Sequence, residues 1–141
     1  MLNDLKFKVI RGGIFSPKYQ LISEYRYDFA HNGRQAYVFI PEGFKTDGAT
    51  GRWFAGFNKL INVIPATFFH DYIFENAGKF VCFYKDNVGE KFSLKKNEVD
   101  AEFIRSVKKK LKPKIYKIFL VRLGFVTVGN LFWYTKKWGL R

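Results

Sequence analysis

A chain of 141 residues with 48% hydrophobic and 20% aromatic side chains is too apolar to stay disordered, and it is long enough to bury a core as one domain spanning residues 1–141. Its one cysteine, Cys82, excludes an internal disulfide framework and a CxxC zinc or redox site. A formal charge of +13, from 25 Lys and Arg against 12 Asp and Glu, favours anionic partners such as nucleic acid, anionic lipid headgroups or cell-wall polymers without choosing among them.

The opening "MLNDLKFKVIRGG" lacks a long apolar core ending in small residues, so no secretory signal is expected. Strands are predicted at Leu5 to Ile10, where apolar and basic side chains alternate, at Tyr19 to Tyr27, rich in β-formers, and at Ala36 to Ile40, a short buried-type run. Gly12, Gly13 and Pro17 punctuate the first gap, and the Asn-Gly pair in "HNGR" (His31 to Arg34) suits a tight hairpin turn. Together these predict an antiparallel sheet.

The Gly-rich segment Pro41 to Asn58 fits neither the helical nor the strand period, and reads as an ordered loop anchored by Phe44, Trp53, Phe54 and Phe57. From about Pro65, "PATFFHDYIFENAG" predicts a short helix ending near Gly78. "KFVCFYKDNVGEKFSL" then alternates around "KDNVG", predicting an inserted two-stranded hairpin with an exposed tip. A second helix follows, with Ser93 or Asn97 as its candidate N-cap and Val99, Phe103, Val107 and Leu111 as an apolar stripe, ending at Pro113. A last apolar helix starts after Pro113, with Lys136, Lys137 and Arg141 near its C-terminal end. Within it, Ile115 to Tyr134 is long enough to raise a membrane question, but Lys117, Arg122 and Asn130 interrupt it, so a spanning helix is not expected. The expected fold is α+β: an N-terminal antiparallel sheet with about three helices packed against it, plus the inserted hairpin.

The chemistry-bearing residues centre on "ATFFHDYIF", which sets His70 beside Asp71 in the most aromatic stretch of the chain. Adjacent helical residues point about 100° apart, so only one can face a small centre while the other supports it or faces elsewhere. His70 shares a face with Phe74, and Asp71 with Glu75. Asp47 in "KTDGAT", Asp100 beside the apolar stripe of the second helix, and Glu75 are three further carboxylates placed to contribute. One imidazole with two carboxylates is an acceptable ligand set for a divalent ion such as zinc or manganese, leaving a place for an activated water. The same groups could instead form a core-edge polar seam, or hold the loop against the helices.

Other constellations fail sooner. The His-Asp phosphohydrolases need further histidines, and only His31 is spare; no G-x-S-x-G turn or G-x-x-x-x-G-K-[ST] loop is present. Cys82 in "FVCFY" reads as a small strand hydrophobe. The basic run Lys108, Lys109, Lys110, Lys112 and Lys114 reads either as a solvated helix end or as a phosphate-contacting patch. Alternating aromatic and basic residues in "KFKVIR" and "YRY" allow a stacking platform for single-stranded nucleic acid.

Taken in order, "IPEGFKTDGAT", "HDYIF", "KKNEVDAEF" and "VRLGF" resemble the phage-associated domain of unknown function (DUF) family 1353 over roughly Ala36 to Phe125. Members of that family show a P-x-G-F-x-T-D-x-A-S loop, an H-D-x-L-Y helix, an A-D-x-x-F helix and an apolar C-terminal helix with V-R-x-x-G. Here Thr50 stands for the usual Ser, Gly51 and Arg52 stand where a proline commonly follows, and the hairpin around Asp86 to Gly89 separates the two motif helices. The resemblance implies a phage or prophage context, with the protein in a virion or the host cytoplasm and other virion proteins as partners. It points to Asp47, His70, Asp71 and Asp100 as shared site residues. The expectation is a phage accessory protein of the tail or baseplate. If catalytic, it would use metal-assisted hydrolysis, with His70 and Asp47 as ligands, Asp100 as third ligand or general base, and Asp71 orienting His70. The competing expectation is a non-catalytic basic protein binding nucleic acid or a host defence component through surfaces such as Lys108 to Lys112.

Overall fold

The structure, a computed structural model, describes residues 4–10, 19–46, 64–77, 79–87, 89–111 and 130–138, with backbone alone at 107, 110, 111 and 130–132. Among these residues it is an α+β fold of two antiparallel sheets and three helices. The strands are β1 (Phe7–Val9), β2 (Tyr19–Leu21), β3 (Tyr25–His31), β4 (Arg34–Ile40), β5 (Lys45–Thr46), β6 (Cys82–Tyr84) and β7 (Lys91–Phe92). The helices are α1 (Ile64–Glu75), α2 (Lys96–Leu111) and α3 (Asn130–Lys137).

The predicted N-terminal sheet divides in two. A small sheet has the order β1-β2-β5, and a larger one the order β3-β4-β6-β7. The stretch Tyr19 to Tyr27, expected as one strand, bends at Ile22 and Ser23, so that β2 joins one sheet and β3 the other. The hairpin β6–β7 is no separate insertion: Tyr37 pairs with Phe83, so it extends the larger sheet. Its tip, Lys85 to Asn87, is exposed as expected.

Turn chemistry fixes both sheets. Asn32 and Gly33, at φ 53° and 74°, join β3 to β4 in the two-residue hairpin that the Asn-Gly pair predicts, with His31 opposite Arg34. In "PEGF", the Phe44 N–H donates to the Pro41 carbonyl at 3.2 Å and Gly43 adopts φ 84°, the positive φ that a type II turn needs at its third residue. That turn converts the start of the expected loop into β5. The rest of the loop, including Asp47, Trp53, Phe54 and Phe57, lies outside the described residues.

Helix α1 is apolar nearly all round, which suits a helix enclosed on several sides. Phe68 meets Phe7 and Phe44 of the small-sheet layer, Phe69 stacks on Tyr27 at 4.4 Å and lies 5.4 Å from Phe29 of the larger sheet, and Phe74 meets Trp133 of α3 edge-on at 5.2 Å. Phe68 and Phe69 are fully buried, each worth roughly 1.5–3 kcal/mol in removed apolar surface. Opposite them, Tyr27, Phe29, Ala36, Val38, Ile40 and Cys82 form the inner face of the larger sheet. Burial pushes the Cys82 thiol up to about 12, so it behaves as the small hydrophobe expected.

Helix α2 does not begin at either expected cap. Ser93 donates instead to the Phe80 carbonyl, and Asn97 lies inside the first turn. Lys95 occupies the cap position, where its N–H donates to Glu98 Oε2 at 2.7 Å, half of a capping box. Val99 and Phe103 of the expected stripe are buried; the side chains of Val107 and Leu111 lie outside the described residues. Among the described residues no helix is long and apolar enough to cross a membrane, while residues 112–129, most of the apolar C-terminal segment, lie outside them.

Candidate functional site: a polar cluster between two helices and a strand

His70 and Asp71 are charged or titratable side chains in the middle of the apolar helix α1, and the structure gives them different partners. His70 Nε2 lies 3.0 Å from Asp100 Oδ1 of α2, while His70 Nδ1 stands 3.9 Å from Asp71 Oδ1. The imidazole stacks on Phe74 at 4.3 Å and meets Phe103 at 5.1 Å. Asp71 accepts a hydrogen bond from the Thr46 hydroxyl of β5, and Asp100 one from the Lys96 ammonium one turn earlier. The adjacent pair thus takes separate roles, as the 100° helical step requires. His70 ties α1 to α2, and Asp71 ties α1 to β5.

Burial works to strip the proton from His70. The Asp100 hydrogen bond and the two nearby carboxylates outweigh it, holding the imidazole above its ordinary 6.5. Side chains of His70, Lys96 and Asp100 are only 11–12% exposed, so these charges interact in a mostly dry environment.

A bound cation needs its donors aimed at one point. Asp71 and Asp100 instead stand off opposite ring nitrogens of His70, and the Lys96 ammonium already neutralises the second oxygen of Asp100. These three side chains, as placed, do not fit a shared ion. Among the described residues no group of three or more His, Cys, Asp or Glu side chains is disposed to hold a metal. Asp47, the proposed ligand from the loop, lies outside them. Glu75 is not drawn into the cluster; it pairs with Lys136 of α3 at 3.0 Å.

Two further polar networks on α2 were not anticipated. His31 sits at the end of β3 with Nδ1 2.7 Å from the Tyr84 hydroxyl and Nε2 3.0 Å from Glu98 Oε1, its ring stacked on Phe92 at 4.5 Å. The Tyr27 hydroxyl bonds buried Glu102 at 3.0 Å and Ser106 at 2.9 Å, while Arg105 clamps the same carboxylate. Burial, reinforced by the Glu102 charge, pushes the Tyr27 phenol well above its ordinary range. The usable signal was the spacing of Glu98 and Glu102, four residues apart, which puts both on the helix face turned to β3.

Of the basic run, Lys108 and Lys109 are exposed near the end of α2. The Lys110 side chain and Lys112 lie outside the described residues. Many acidic groups are committed internally: Arg34 bridges Asp86 and Glu90, and Lys85 pairs with Asp28. Compared with protein-family models, curated proteins and solved structures, the chain matches none.

Proposed function

We propose that the chain is a phage-encoded accessory protein of the virion tail or baseplate, in which the His70 cluster is a polar latch joining α1, α2 and β5 rather than a reaction centre. The resemblance of the ordered motifs to DUF family 1353 is what supports the phage context. The latch reading is carried by one observation: His70 spans two carboxylates from opposite ring nitrogens, and each carboxylate has a second partner on another residue, Thr46 or Lys96.

The convergence of His70, Asp71 and Asp100 also favours a second reading, metal-assisted hydrolysis completed by Asp47. Metal content separates the two. Purified protein is incubated with zinc or manganese, desalted and assayed beside His70→Ala, with thermal unfolding followed in the presence and absence of a chelator. The latch predicts no stoichiometric metal, a midpoint indifferent to chelator, and a lower midpoint in the variant. One equivalent of metal, lost in His70→Ala, would overturn it in favour of the hydrolase. Mass spectrometry of purified virions tests the location: a chain missing from tail fractions would favour action in the host cytoplasm, on nucleic acid or a host defence component.

A further inference from the structure

The outer face of the larger sheet carries aromatic side chains where a solvated sheet ordinarily carries polar ones. Strand β4 alternates strictly: Ala36, Val38 and Ile40 are buried, which turns Tyr37 and Phe39 outward. The pairing of Tyr37 with Phe83 adds a ring from β6 on the same side. Tyr37 and Phe83 lie 5.5 Å apart and within 21° of parallel, while Phe39 meets them edge-on at 5.4 and 6.4 Å. Phe39 is 42% exposed, and neighbouring Val81 is 45% exposed. Helix α1 packs on the opposite face, so these rings take no part in the core against it.

The rim of this platform is cationic. The Arg26 guanidinium sits 5.4 Å over the Tyr37 ring, Lys91 pairs in register with Phe83, and Lys85 follows β6 at the hairpin tip. Asp28 faces Arg26 and Lys85 together, and Arg34 holds Asp86 and Glu90 at the hairpin tip, so four cations (Arg26, Arg34, Lys85, Lys91) stand against three carboxylates on a chain of charge +13. Rings bordered by cations, exposed at Phe39 and half-buried at Tyr37 and Phe83, complement a ligand that presents π-faces and negative charge alternately. A duplex hides its base faces and offers such a surface only phosphates; an unpaired strand offers both.

We propose that Tyr37, Phe39 and Phe83 form a stacking platform for single-stranded nucleic acid, with Arg26, Lys85 and Lys91 contacting its phosphates. This inference is independent of the latch and of virion attachment. The test is fluorescence anisotropy with a labelled mixed-sequence single strand of about a dozen nucleotides, enough to cover one such surface, beside its duplex and a neutral oligosaccharide. The wild type is expected to bind the single strand more tightly than the duplex, and not to bind the sugar. Replacing all three rings by leucine should weaken binding about ten-fold or more, the scale of lost base stacking. Lys91→Ala should reduce the salt slope by about one. Should the triple variant misfold by circular dichroism, Phe39→Leu against Phe39→Trp decides: the ring-bearing variant retains binding and leucine loses it. Equal affinity of folded ring-less and wild-type protein, equal or tighter duplex binding, or binding of the neutral sugar alone would overturn the proposal.

Discussion

His70 and His31 are matched in burial and in bond length: each side chain is 12% exposed, and each Nε2 stands 3.0 Å from a carboxylate of α2. They differ in what the carboxylate does next. Asp100 also binds the Lys96 ammonium, so the His70 link is one part of a charge cluster in which one acid bridges two cationic groups. Glu98 also accepts the Lys95 N–H, so the His31 link is one part of a helix cap. The same histidine–carboxylate geometry therefore holds two helices together in one place and starts a helix in the other. Cutting the first should strand buried charge, whereas cutting the second should expose a helix end that water can reach.

The largest expected effect follows from that asymmetry. Asp100→Ala leaves His70 and Lys96 without their shared acid and should cost about 3–5 kcal/mol in urea unfolding, the scale for breaking a mostly buried pair. A loss below about 1 kcal/mol would put the cluster on a par with a surface ion pair and erase the contrast. Glu98→Ala should cost less, about 1–2 kcal/mol, for a lost cap interaction and one hydrogen bond.

The pH dependence of stability separates the two sites by sign. The His70 pKa is raised on folding, so its contribution is fully present below the unfolded value near 6.5 and is lost as pH rises through the folded value. Burial pushes the Glu98 carboxyl up, but the Lys95 N–H and His31 more than offset it, leaving it below its ordinary 4.5. Its contribution is present above that value and is lost as pH falls through the folded one. Chemical unfolding across pH should show both limbs; His70→Gln should flatten the alkaline limb and Glu98→Gln the acid limb. If the two variants altered the same limb, the assignment would fail. The smallest effect is expected at the hairpin beside His31: Gly33→Ala meets no atom within 4 Å, so only its positive φ is penalised, by about 1 kcal/mol. A melting curve for that variant checks it.

The physical basis for what the sequence discloses differs between these regions. Asp100 could be brought towards His70 from sequence because it borders the readable apolar stripe of α2, which fixes the face it presents, and because His70 is the lone imidazole in a helix that is apolar nearly all round. His31 could not, because its neighbours Asn32 and Gly33 advertise a turn, and a turn signal says nothing about which helix packs over the strand end. The break between β2 and β3 falls at Ile22 and Ser23, without the Gly or Pro that would have marked it. The start of α2 is hidden in the sequence for a related reason: the cap acceptor is Glu98 reaching back, so the cap residue itself, Lys95, has no capping side chain. The outward aromatics of β4 were legible in principle. The buried set Ala36, Val38 and Ile40 leaves Tyr37 and Phe39 no other side of the sheet, but in a run that is apolar throughout, hydrophobicity alone does not mark which side faces out.

Cys82 lies at the centre of the larger sheet, fully buried, with its thiol pushed up to about 12. A small alkylating reagent needs both the thiolate and a path to it, so trapping should occur only when β6 parts from its neighbours. With a single cysteine in the chain, the rate of that labelling is an internal clock for opening of the sheet. Weakening either histidine link should speed the clock only to the extent that the sheet and α2 open as one cooperative unit.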